Sequence, residues 1–500
     1  MEFLEYFPNV FEPWNFLILC GGTIGGLILG ATPGLSPTMA VALLIPFTFR
    51  MDPTASLILL GAVYTATVAG GAVSAILVNI PGAPANIATV MDGHPMANQG
   101  RATEALHYCF ISSFVGGVLG VLLLIFFTPV LAEFALNFGP AELFWVAILG
   151  VTVIGSLGSG SVVKGLFAGA FGLWISMIGY SPVLGVERFV FSEHLGGGIN
   201  IIAALIGLFA IPQVLGMMET AKRGGKAEMF DMENHSVLAS IKYNLSRVKA
   251  LVIGSVTGII VGIIPGAGGQ IAGLIAYDQT KKLSRNSDEF GKGQPDGVIA
   301  AESANNSMVG PSLVPLLTLS VPGSPTAAVL LGGLLINGLF PGPDLFTIHA
   351  EVTWTFIDSL LVAQLLMLLF GLYISRYSRF VTRIPKFYMA AAVTILAVVG
   401  TYSVQNSLSD VIVMLTLGTA MYFATKVGFS PAPVVLGIIL GPIAEDNFLQ
   451  GMLIGESMDG VGPYFFTGTI NMALIAFCVV SVGYSIYSEL RSAARARAGK

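Results

Sequence analysis

The chain has 500 residues, 54% hydrophobic and 10% charged, with a mean hydropathy of +0.82 and a formal net charge of -5. A soluble protein carries roughly 25% charged residues, so composition excludes a soluble enzyme or a nucleic-acid-binding domain and defines an integral membrane protein. The 61 glycines, spread through apolar runs, suit close helix packing in lipid. Cys20, Cys109 and Cys478 lie in apolar stretches without CxxC spacing, so neither a metal site nor a disulfide framework is expected.

In chain order, residues 1–15 lack a basic segment and read as a short N-terminal piece rather than a signal peptide. Helical runs follow near 16–32, 37–49, 54–80, 105–132, 141–158, 162–182 and 198–216. The polar stretch 217–249, with six basic residues, reads as a cytoplasmic connector, with contact to anionic membrane lipid as a secondary role. Further runs lie near 250–264, 267–280, 298–320, 325–340, 350–375, 386–404, 408–425, 432–450 and 465–487, the last belonging to a terminal segment 451–500 with a basic tail.

Two of these runs are interrupted in the same way. Gly30-Ala31-Thr32-Pro33-Gly34-Leu35-Ser36-Pro37-Thr38 and Gly262-Ile263-Ile264-Pro265-Gly266-Ala267-Gly268-Gly269 each place Pro-Gly where a helix would continue. Proline removes a backbone donor and glycine a side chain, so main-chain groups are freed inside an apolar stretch. Lipid tolerates such groups only where they are buried in protein or line a cavity. A second pair of breaks follows downstream, Asn79-Ile80-Pro81-Gly82-Ala83-Pro84 and Ser320-Val321-Pro322-Gly323-Ser324-Pro325. Residues 16–216 and 250–450 therefore read as two copies of one unit. Treating 16–49 and 250–280 as re-entrant hairpins puts the N-terminus outside and 21 of the 23 Lys and Arg residues in the cytoplasm. The expected fold is all-α and polytopic, with two inverted repeats, re-entrant helical hairpins and elevator-like motion. Paired broken segments at matching positions mark the binding site of secondary transporters.

The segments Pro33-Gly34-Leu35-Ser36-Pro37, Val78-Asn79-Ile80-Pro81-Gly82, Asp92-Gly93-His94-Pro95 and Ala301-Glu302-Ser303-Ala304-Asn305-Asn306 resemble the large membrane subunit of the tripartite tricarboxylate transporter family. The resemblance covers nearly the whole chain. At Thr67–Ala72 the sequence departs from the Tyr-Gly-Gly-Ser pattern common in that family, which leaves the substrate open. The resemblance implies a bacterial inner-membrane permease, its C-terminus cytoplasmic, that takes up tri-, di- or aromatic carboxylates. It further implies a small membrane subunit, a periplasmic substrate-binding protein, and a sodium or proton gradient as driving force, with no cofactor.

For such a substrate, helix N-termini supply free N–H groups and positive partial charge. The expected substrate site is Pro33, Gly34, Leu35, Ser36, Thr38, Asn79, Pro81, Gly82, Pro84, Pro265, Gly266, Gly268, Gly269, Pro322, Gly323, Ser324, Pro325 and Thr326. A coupling cation needs oxygen ligands, for which Asn305, Asn306 and Ser307 are candidates. Glu302 is the intramembrane carboxylate for coupling or gating. Three other readings compete. A stand-alone ion-coupled symporter or antiporter needs no binding protein. An intramembrane enzyme lacks an HExxH signature here. An ATP-driven importer lacks a Walker A motif in this chain.

Overall fold

The structure is a computed structural model that describes residues 2–157, 161–181, 185–192, 195–221, 235–264, 271–377, 386–458 and 460–498. Nearly all of it is helical. The N-terminal half of the chain, termed the first unit for its place in the chain and the C-terminal half the second, comprises α1 (Pro13–Ala31), α2 (Pro37–Thr48), α3 (Pro53–Val78), α4 (Ile87–Asn98), α5 (Ala102–Ala135), α6 (Pro140–Leu157), α7 (Val162–Ser176) and α8 (Ile201–Ala221). A short antiparallel pair, β1 (Gly179–Tyr180) and β2 (Glu187–Arg188), precedes α8. The second unit comprises α9 (Val237–Ser246), α10 (Val248–Ile263), α11 (Ala272–Leu283), α12 (Pro295–Ser307), α13 (Val309–Leu319), α14 (Pro325–Ile336), α15 (Ala350–Ser375), α16 (Lys386–Gln405), α17 (Leu408–Lys426) and α18 (Pro431–Ser457), and α19 (Thr469–Ala498) follows. Among the described residues, nine helices are long and apolar enough to cross a membrane. The chain is a multi-pass membrane protein.

Local chemistry sets the helix starts. Proline occupies the first turn of α2, α3, α12, α14 and α18, where its missing N–H would be unpaired in any case. Ser36 Oγ accepts from Met39 N–H (3.3 Å) and Ser324 Oγ from Ala327 N–H (3.1 Å), capping α2 and α14 alike. The ends match too. α3 stops at Asn79 (φ 56°) and α13 at Ser320 (φ 60°), both left-handed. The returning chain then donates from Gly82 N–H to Gly71 C=O in one unit and from Gly323 N–H to Ser312 C=O in the other.

Glycine seams lock the first helices of each unit. A Cβ on Gly22, Gly26 or Gly30 of α1 would fall within 3.1 Å of α3 atoms, the closest at 2.5 Å from Thr67 C=O. Gly254, Gly258 and Gly262 of α10 face Ala300, Ala304 and Met308 carbonyls at 2.5, 2.3 and 2.8 Å in the same way. Only glycine permits this approach, the means by which helices associate where no hydrophobic drive exists between them.

Two features differ from the sequence expectation. Residues 237–246 of the expected connector form α9, with Ser240 and Asn244 fully buried against α5; Asn244 Nδ2 donates to Tyr108 C=O (3.0 Å) and Ser240 Oγ meets His107 Nδ1 (3.2 Å). Polar side chains satisfied by another helix read as loop in the sequence. The legs of the first expected hairpin are also unequal. With 19 residues α1 is long enough to cross, and it lies along α3. The 12-residue α2 leaves the break to pack on α3, α8, α14 and α16. In the second unit α10 and α11 lie against each other and against α12.

Candidate functional site

Three of the four breaks converge on one cavity. Ser36, Pro37 and Thr38 enter from the start of α2, Ala83 to Asn86 from the short turn before α4, and Ser324 to Thr326 from the start of α14. Tyr64 and Val68 of α3 and Met308, between α12 and α13, complete the wall. The cavity measures about 50 Å³, room for several waters, since one needs roughly 10–15 Å³ by this measure. Two of the segments run into helices whose first turn holds proline, α2 and α14, and the third reaches α4 through the three-residue turn Pro84–Asn86, so free N–H groups and the positive ends of three helix dipoles border the space.

Hydroxyls join the two units across this cavity. Thr38 Oγ1 and Thr326 Oγ1 are 2.9 Å apart, joining the first break of the N-terminal half to the second break of the C-terminal half. Tyr64, fully buried, places its hydroxyl 2.8 Å from Ser324 Oγ and 3.1 Å from Ser312 Oγ.

Directly behind the cavity lies Glu302 of α12, fully buried. Its Oε1 accepts from Asn86 Nδ2 (3.4 Å), Asn305 Nδ2 (3.2 Å) and the Thr89 hydroxyl, and its Oε2 from Ser113 Oγ (3.3 Å). Asn306 Nδ2 donates to Ser113 Oγ (2.8 Å), extending the network to α5. Among the described residues, the side-chain oxygens of Asn86, Asn305 and Asn306 have no hydrogen-bond partner. Four neutral side chains from both units thus donate to one acid, and Asn86 belongs to the cavity wall and to this network at once.

Of the residues singled out in the sequence, Ser36, Thr38, Pro84, Ser324, Pro325 and Thr326 line the cavity, and Glu302, Asn305 and Asn306 form the network behind it. Pro33, Gly34 and Leu35 form the turn leading into it, with Gly34 at φ +90°. Pro81, Gly82, Pro322 and Gly323 belong to the return segments; a Cβ on Gly323 would sit 2.5 Å from Gly262 C=O. Asn79 stands apart as an exposed helix terminator. Ser307 Oγ turns to Ser255 C=O of α10 (3.0 Å). Pro265, Gly266, Gly268 and Gly269 lie outside the described residues. Tyr64, Asn86, Thr89, Ser113 and Ser312 were not singled out. Of these, Asn86 and Thr89 carried a signal, as two polar residues three apart just past a Pro-Gly break.

Asp92 holds the scaffold. Its Oδ1 accepts from Gly291 N–H (2.8 Å), Gly293 N–H (2.9 Å) and Gln294 N–H (2.9 Å), pinning the loop before α12 to α4.

Helices long and apolar enough to cross a membrane, broken around a small cavity in which a few hydroxyls and one amide interrupt a mostly apolar wall, suit a transporter component. Comparison with known proteins agrees. The sequence model of the tripartite tricarboxylate transporter TctA family matches residues 16–436, and the chain belongs to that family. It is 33% identical over 491 residues to an Agrobacterium vitis protein described as an uncharacterized 52.8 kDa protein in the TAR-I ttuC' 3'region, covering 97% of this chain and 96% of that one. A second Agrobacterium vitis protein, from the TAR-II ttuC' 3'region, is 34% identical over 236 residues, 47% of this chain and 96% of its own length.

Proposed function

We propose that this protein is the permease subunit of a binding-protein-dependent secondary transporter that takes up carboxylates across the bacterial inner membrane, driven by a sodium or proton gradient. The observation that carries this reading is the cavity itself: the first break of one unit and the second break of the other meet there through Thr38 and Thr326, and three helix N-termini border it. Donors and positive partial charge at that place suit a carboxylate. The two units run in opposite senses through the membrane, with the N-terminus periplasmic and the C-terminus cytoplasmic. Alternating access moves the broken elements relative to the rest, in the manner of an elevator. A periplasmic binding protein delivers the substrate and a small membrane subunit completes the assembly.

Glu302 couples transport to the ion. An ionised Glu302 draws on Asn86, which faces the cavity, so a carboxylate in the cavity and a charged Glu302 compete for the same donor. A proton on Glu302, or sodium held there with the Asn305 and Asn306 oxygens, which have no partner among the described residues, removes the competition. By linkage, substrate then tightens ion binding and the ion tightens substrate binding.

The test is uptake by proteoliposomes carrying the full assembly, with an acid first identified by thermal-shift screening of the binding protein. Uptake is expected to need an imposed sodium or proton gradient and no ATP. Uptake that survives collapse of both gradients refutes the coupling, and a binding protein that selects a non-acidic solute refutes the substrate class.

A further inference from the structure

We infer that the cavity accepts an acid bearing one net negative charge, so that a di- or tricarboxylate enters only with its remaining carboxyl groups protonated or paired with a cation. The inference rests on the carboxylate reading above and narrows it. Among the described residues, no lysine, arginine or histidine lines the cavity. The sequence makes this more general. Residues 1–49, 51–93, 250–280 and 293–348, which contain all four breaks, have no basic residue at all, including residues 265–270. What faces a bound anion is neutral: the hydroxyls of Ser36, Thr38, Tyr64, Ser324 and Thr326 and the amide of Asn86.

The positive potential therefore comes from helix N-termini, each equivalent to about half a unit charge. Three of them balance roughly one carboxylate. A second uncompensated charge in a low-dielectric interior has no such balance, and isolated buried ions are costly enough that they neutralise instead. Glu302, an acid directly behind Asn86, adds to the penalty whenever it is ionised.

Purified full-length protein in sodium-free choline buffer tests this by thermal unfolding against propionate, succinate and citrate at mildly acidic and mildly alkaline pH. Relative to propionate, which is singly charged throughout and reports whatever dependence Glu302 itself imposes, succinate is expected to bind about tenfold more weakly for each pH unit over which its dianion dominates. Adding sodium at alkaline pH is expected to restore succinate and citrate. Equal binding of succinate at both pH values without sodium overturns the inference. So does a matching pH dependence for propionate, because the proton then resides on the protein. If no acid shifts the melting temperature under any condition, the carboxylate reading fails, and the inference with it.

Discussion

The Tyr64 hydroxyl reaches Ser312 and Ser324 of the other unit, yet each serine keeps a second bond, Ser312 Oγ to Val309 C=O (2.7 Å) and Ser324 Oγ to Ala327 N–H. Tyr64→Phe is therefore expected to fold and to lose about 1 kcal/mol of stability, read as a fall in melting temperature. Its larger effect should be on transport, raising the KM several-fold as the cavity wall loosens. Glu302 behaves differently. Glu302→Ala strands the donors of Thr89, Asn86, Asn305 and Ser113 and is expected to cost upwards of about 2 kcal/mol. Glu302→Gln keeps the shape, folds, and is expected to cut gradient-driven uptake at least about tenfold if the charge is the coupling element. Unchanged uptake in Glu302→Gln removes Glu302 from the coupling role. At Asp92, three N–H groups converge on one oxygen; Asp92→Ala is expected to cost about 2–4 kcal/mol, with Asp92→Asn recovering part.

At the scale of elements, the glycine seams decide what can be changed. A Cβ at Gly258 would lie 2.0 Å from Ser307 Oγ and 2.3 Å from Ala304 C=O, whereas one at Gly21 meets nothing within 4 Å. Gly258→Val is expected to cost about 3 kcal/mol or more through forced separation of α10 and α12, lowering the yield of folded protein, while Gly21→Val leaves it unchanged. The breaks were legible in the sequence because proline and glycine act on their own backbone: Pro37, Pro84 and Pro325 each sit in the first turn of a helical segment, as their spacing implied. The partners of Glu302 were not. Asn86, Thr89 and Ser113 lie about 190 to 215 residues away in the chain, and no local pattern reports a contact across that separation. Asn79 misled because asparagine suits a ligand and a left-handed helix end equally well; its φ of 56° is the latter. Likewise α9 was hidden by its polar composition, since Ser240 and Asn244 are the residues it buries.

For the whole molecule, the proposed membrane orientation makes a direct prediction. In a background lacking Cys20, Cys109 and Cys478, Asn406→Cys is expected to react with a membrane-impermeant thiol reagent added outside intact cells. Arg285→Cys, at an exposed position between α11 and α12, is expected to react only after permeabilisation. The reverse pattern overturns the orientation. A second consequence follows from the absence of basic residues around all four breaks. The proposed moving part brings no basic side chain of its own at the breaks to cancel its load, so a change of cargo or coupling ion changes the charge that crosses the bilayer. The membrane voltage then acts on the cycle through its passengers: exchanging a singly charged acid for a neutral one, at constant ion stoichiometry, should alter the current per turnover by one elementary charge.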